Sequence, residues 1–186
     1  MIYSLLDFDL LNKYHISFEE FTSKAKELNS SILQYRNKHS SKKEVILHLK
    51  KLRNLWDKTL IVNDYVDLVE YCDGVHIGQE DLQNYHLIDN IKKHIGNKLI
   101  GLSTHNKEEV LKANKMDIDY IGLGAFRQSD TKNVTSIKGK ELLEIAKLSK
   151  HDVAIIGGVR VDDDIDTKYK VIGSDICRLI NQQKEK

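Results

Sequence analysis

Several stretches of the 186-residue chain hold phosphate- and metal-seeking side chains at spacings that let them act together. Gln34, Arg36 and Lys38 alternate along one β-type run, and alternate residues of an extended segment share a face. An arginine there offers a planar fork to phosphate oxygens, and a lysine a point charge. Asn63-Asp64 follows the apolar run Thr59–Val62, and Asp81 lies just beyond the run Gly74–Ile77, in His76-Ile-Gly78-Gln79-Glu80-Asp81. Such carboxylates are the hard oxygen ligands that Mg²⁺ takes together with substrate phosphate and water. Ser103-Thr104-His105 closes another run, Ser129-Asp130-Thr131-Lys132 follows Gly122-Leu-Gly124, and Gly157-Gly158 opens backbone amides to a second phosphate. The chemistry these residues suit together is the handling of a magnesium diphosphate beside a monophosphate.

Each piece has a plainer explanation taken singly. Arg36 and Lys38 can be solvated charges, and Asp81 a loop residue. Asp64 can cap a short helix. His76 can be a satisfied core histidine, His105 a helix-start residue, and Gly157-Gly158 a turn. The argument for a site is that all of them fall where a β-type run ends, in chain order.

The elements that would position them alternate. Candidate strands are Ile2–Leu6, Ser31–Tyr35, Thr59–Val62, Gly74–Ile77, Lys98–Leu102, Tyr120–Leu123, Val153–Ile156 and Ile176–Ile180, with Lys170–Ile172 as the other choice for the eighth. Between them helical spacing predicts Ser17–Leu28, Lys42–Trp56, Leu87–Ile95, Lys107–Lys115 and Lys138–Leu148, with a turn or two of helix over Tyr65–Tyr71. Ser17 and Glu20 make a capping box. Fully apolar strands without hairpin signals argue for a parallel sheet buried on both faces. Eight such units close most naturally into a (β/α)8 barrel, one domain over residues 1–186, with a doubly wound open sheet as the competitor. The stretch Asp162–Tyr169 is too short and acidic for a full seventh helix, and little follows Ile180, so the last helices are expected to be abbreviated.

Composition narrows the setting. Lys plus Arg number 29 against 28 Asp plus Glu, a net charge of +1, so no global attraction to nucleic acid or an acidic membrane is expected. No apolar run approaches the ~20 residues of a membrane span, and the start lacks a secretory pattern. Cys72 and Cys177, without metal-ligand spacing, are expected to be buried, reduced thiols, which points to the cytoplasm.

Over Ile2 to Ile180 the chain resembles the thiamine-phosphate synthase and TenI family. Val62-Asn63-Asp64-Tyr-Val-Asp67-Leu and Asp73-Gly74-Val75-His76-Ile-Gly78-Gln79-Glu80-Asp81-Leu82 are similar to its I-N-D-x-x-D-L and D-G-V-H-x-G-Q-x-D-L signature. Gln34-x-Arg36-x-Lys38 resembles the synthases' Q-x-R-x-K, Gly101-Leu-Ser103-Thr104-His105 their G-x-S-x-H, and Thr131-Lys132 the end of their P-T-x-T-K loop. The resemblance implies a (β/α)8 barrel that joins hydroxymethylpyrimidine diphosphate to a thiazole phosphate and releases pyrophosphate. It implies that Gln34, Arg36, Lys38, Asn63, Ser103 and Lys132 hold the pyrimidine diphosphate, with Arg36, Lys38, Ser103 and Lys132 also catalytic. Asp64 and Asp81 would hold Mg²⁺, and Ser129, Thr131 and Gly158 the thiazole phosphate. The family's last strand runs to a phosphate-binding serine, whose place falls on Asn181, with Arg178 standing for a small residue inside that strand. Partners would be these small molecules, with no nucleic acid and no membrane, and with room for a homo-oligomer.

Two other functions compete. A TenI-like thiazole tautomerase is opposed by Gln34-x-Arg36-x-Lys38, and by Ala125 where such enzymes carry a histidine. A non-catalytic relative binding a thiamine precursor is favoured by Arg178, Asn181 and the proline-free loop Ala125–Asp130.

Overall fold

The computed structural model describes residues 1–84, 88–127 and 139–185. Within them eight parallel strands close a barrel in chain order. They are β1 (Ile2–Asp7), β2 (Ile32–Arg36), β3 (Thr59–Asn63), β4 (Gly74–Ile77), β5 (Leu99–Thr104), β6 (Tyr120–Gly124), β7 (Asp152–Ile156) and β8 (Tyr169–Ile172). β8 pairs with β1 through Ile2↔Lys170, Tyr3↔Val171 and Ser4↔Ile172, which closes the ring and rules out the open sheet. The helices are α1 (Phe8–Tyr14), α2 (Phe18–Glu27), α3 (Lys42–Leu55), α4 (Gln79–Asn84), α5 (Ile88–Ile95), α6 (Lys107–Ala113), α7 (Lys140–Ala146) and α8 (Ser174–Lys184), with a 3₁₀ helix at Val66–Tyr71.

Strand alternation builds two cores. Leu33, Leu60, Val62, Val75, Ile100 and Ile121 face outward and pack under the helices. Tyr3, Ile32, Ile61, Tyr120, Ala154 and Val171 fill the barrel interior. The rings of Tyr3 on β1 and Tyr120 on β6 meet at 5.8 Å although their strands are not neighbours, a contact only the lumen allows. The helices begin as their sequences dictate. Ser17 and Ser41 each form a reciprocal capping box, with Glu20 and Glu44.

The eighth strand is a correction. It is Tyr169–Ile172, while Ile176–Ile180 forms the body of α8. Ile176, Cys177 and Ile180 are buried at spacings of one and three residues, a helical face, whereas a strand would have alternated. Arg178 is therefore not inside the barrel. It lies on α8, half exposed, paired with the buried Asp175 one turn earlier at 2.7 Å. Asn181 is not at a strand end either. Its side-chain amide reaches the Tyr14 carbonyl at 3.4 Å, two turns into α8. α8, at eleven residues, is a full helix, while the β7–β8 connection has none. Two further helices were not expected: α1, capped by Asp7 through Leu10 N–H at 3.1 Å, and α4, which begins right after β4. Val45, Leu49 and Leu52 make the inner face of α3, and Leu47 is 65% exposed.

Candidate active site

The carboxyl ends of the strands form one rim, the place where barrels of this kind carry their chemistry. On β2, Gln34 and Arg36 share the inward face with Ile32, as alternation requires. The strand stops at Arg36, so the alternation does not extend to Lys38, an exposed residue in the loop beyond. Asn63 ends β3 and turns inward, accepting from the Gln34 amide nitrogen at 2.7 Å. The next residue, Asp64, has φ +67, a left-handed conformation that Asp and Asn tolerate best. Its N–H donates to the His76 carbonyl of β4 at 2.9 Å, which fastens this bend to the neighbouring strand.

Asp81 is the third residue of α4, which starts two residues after β4 ends. β3 and β4 are hydrogen-bonded neighbours with Asn63 opposite His76. The backbones of Asp64 and Asp81 thus leave adjacent strand ends on the same rim. Hard carboxylate donors in this placement fit a magnesium ion that takes its other ligands from water and substrate.

Below the rim, a chain of hydrogen bonds crosses the lumen. Tyr3 O–H donates to Gln34 Oε1 at 2.8 Å, and Tyr3 and Tyr120 hydroxyls meet at 2.8 Å. His76 Nδ1 lies 3.1 Å from the Tyr120 hydroxyl, and His76 Nε2 lies 2.9 Å from Ser103 Oγ. Burial pushes the His76 imidazolium down to about 4, so at neutral pH the ring has one donor and one acceptor. The proton order then follows. Tyr3 spends its hydrogen on Gln34, so Tyr120 must donate to Tyr3, His76 Nδ1–H to Tyr120, and Ser103 to His76 Nε2. Burial raises both tyrosine hydroxyls well above their ordinary range, which keeps every link neutral. Ser103 and Asn63, from β5 and β3, are thereby the two ends of one oriented network.

The other half of the rim is closed by polar contacts. Gly157 and Gly158 follow β7 with φ +93 and +66, conformations that suit glycine. Arg127, after β6, donates through Nη1 to the Gly158 carbonyl and to Asp163 Oδ2, each at 2.6 Å, and through Nη2 to Asp163 Oδ1. The guanidinium holds the Asp163 carboxyl below the usual carboxylate range. Gly158 itself is exposed. Ser129, Thr131 and Lys132 lie outside the described residues. With the eighth strand relocated, the first serine beyond it is Ser174, the opening residue of α8. His105 is turned toward Glu109, 3.0 Å away and outside the lumen.

Sequence reasoning passed over Tyr3, Tyr120 and Asp7. The tyrosines read as ordinary strand residues, and only closure of the barrel brings them together. Asp7 had a readable signal: it ends the first strand directly before Phe8 and Leu11, at helical spacing.

Residues 11–167 match the sequence profile of the family described as thiamine monophosphate synthase. A thiamine-phosphate synthase of Persephonella marina is 38% identical over 137 residues, 70% of this chain and 64% of that protein, so the matched chain spans less than two thirds of that relative's length. One of Clostridium botulinum is 38% identical over 165 residues, 85% of this chain and 75% of that protein. The solved thiamine phosphate pyrophosphorylase of Pyrococcus furiosus superposes with a TM-score of 0.76 at 24% identity, covering 98% of this chain and 96% of that one, which supports the barrel fold. With the rim's geometry, the profile match and these relatives in agreement, the chain belongs to the thiamine monophosphate synthase family.

Proposed function

We propose that the protein is a thiamine-phosphate synthase, which joins hydroxymethylpyrimidine diphosphate to a thiazole phosphate. The observation that carries this reading is the juxtaposition of Gln34 and Arg36 on the inward face of β2 with Asn63-Asp64 at the end of the neighbouring β3. In the reaction, the bond from the pyrimidine methylene to the diphosphate oxygen breaks, and the electron pair leaves with pyrophosphate. The thiazole nitrogen then bonds to the methylene. No protein nucleophile is required. Arg36, Lys38 and Lys132 would stabilise the charge on the departing pyrophosphate, while Gln34, Asn63 and Ser103, whose hydroxyl hydrogen is committed to His76, orient the pyrimidine. Magnesium, held by Asp64 and Asp81, would neutralise diphosphate charge. Ser129, Thr131, Gly158 and, in place of Asn181, Ser174 would receive the thiazole phosphate.

The buried cysteines, whose thiols burial pushes up to about 12, accord with a reducing cytoplasmic setting. Among the described residues no helix is long and apolar enough to cross a membrane.

One observation favours a second reading, a non-catalytic relative that binds the diphosphate alone: the Arg127 guanidinium beside Gly158 is paired with the Asp163 carboxylate, which withholds its charge from a phosphate there. Incubation with both phosphorylated precursors and Mg²⁺ separates the two. Thiamine phosphate is the expected product, its formation abolished by Asp64→Asn without loss of fold. Absence of product at high protein concentration would remove the synthase reading, and pyrophosphate binding in that case would support the second.

A further inference from the structure

We propose that Asp7 is a positioning residue that presents Arg36 to the diphosphate, an inference that rests on the synthase reading. Asp7 ends β1 and is the register partner of Arg36 at the end of β2. Its carboxylate is 8% exposed for the residue as a whole, and both oxygens are committed. Oδ1 accepts from Leu10 N–H at 3.1 Å and caps α1. Oδ2 accepts from Arg36 Nη1. The chain of constraint therefore runs from the backbone of α1, through Asp7, to the guanidinium.

Capping needs one oxygen, which Asn or Ser would supply as well. The second oxygen serves Arg36, whose only ion-pair partner among the described residues is Asp7. Asp7 occupies one guanidinium nitrogen, and an arginine has two more with which to meet a phosphate. A pair with a 26% exposed arginine adds little to stability in itself. Its value is conformational. A free arginine loses much rotamer freedom on binding an anion, and a tethered one has lost it already.

The test is Asp7→Asn, which keeps the cap and removes the anionic clamp. The affinity for inorganic pyrophosphate with Mg²⁺, measured by titration calorimetry, is expected to fall about tenfold, the loss of a well-held charge-assisted contact. The KM for the pyrimidine diphosphate should rise in step while the KM for the thiazole phosphate and the melting temperature stay put. On an Arg36→Ala background Asp7→Asn should change nothing further. Asp7→Ala, which also loses the cap, should lower the melting temperature. The proposal is overturned if Asp7→Asn binds pyrophosphate as well as the unaltered protein, or more tightly, the latter meaning that Asp7 competes with the ligand. It is equally overturned if the loss persists without Arg36. A wild-type protein that binds pyrophosphate but makes no thiamine phosphate would sink the synthase reading alone, and the titration would still decide the role of Asp7.

Discussion

His76 has its two ring nitrogens committed to Tyr120 and Ser103, in a lumen that disfavours its charge. Its folded-state value is depressed from 6.5 to about 4, so below about pH 6.5 the unfolded chain binds a proton that the folded chain refuses. Stability is therefore full above that range and drains as pH falls toward 4, by about 2 kcal/mol between pH 7 and 5 from this residue. His48, also lowered by burial, adds in the same sense. Urea unfolding of His76→Asn across pH 5–7 should show a flatter dependence than the wild type, even if the variant is weaker throughout. An unchanged slope would mean that the imidazole is not held neutral. The sequence left this residue between a core histidine and a catalytic one. The structure makes it a core histidine whose core is the floor of the site.

At the scale of elements, the local signals that were read correctly are those whose physics is contained within a few residues. The Ser17 capping box forms as its spacing predicts. A second, Ser41 with Glu44, was equally legible in Ser-Lys-Lys-Glu. Ser41→Ala should lower unfolding free energy by about 1 kcal/mol, measured by urea titration, and leave turnover unaltered because the cap faces solvent. A turnover change larger than the stability loss explains would place α3 closer to the chemistry. The misread element is instructive. Ile176-Cys177-Arg178-Leu179-Ile180 has the composition of a strand, but its burial follows helical spacing, and the pair Asp175–Arg178 bridges one turn. Over five residues composition cannot separate the two, and competition for the eighth place in the barrel decides it. Tyr169–Ile172 won because its register with β1 and β7 closes the ring.

For the molecule as a whole, closure creates the site. Tyr3, Gln34, His76, Ser103 and Tyr120 come from five strands, and the two links to Tyr120 join strands that are not neighbours and form only across the lumen. Gly101 makes room for them: a Cβ there would overlap the Tyr120 ring and come within 2.6 Å of His76 Nδ1. Gly101→Ala should cost about 1–3 kcal/mol, as overpacking does, and depress turnover beyond that by breaking the proton-ordered network. Urea midpoints and initial rates check both, and a variant with wild-type stability would show that the ring can move aside. By itself the sequence determined the alternation of elements, the parallel barrel, and the rim membership of Gln34, Arg36, Asn63, Asp64 and Gly158, because alternation and strand-end position are local properties. Only the tertiary structure decided that Asp7 holds Arg36, that Arg127 reaches Asp163 and Gly158, and that Arg178 and Asn181 belong to an outer helix. Those contacts join residues from different elements, and no local pattern reports which side chains a closed barrel will bring face to face.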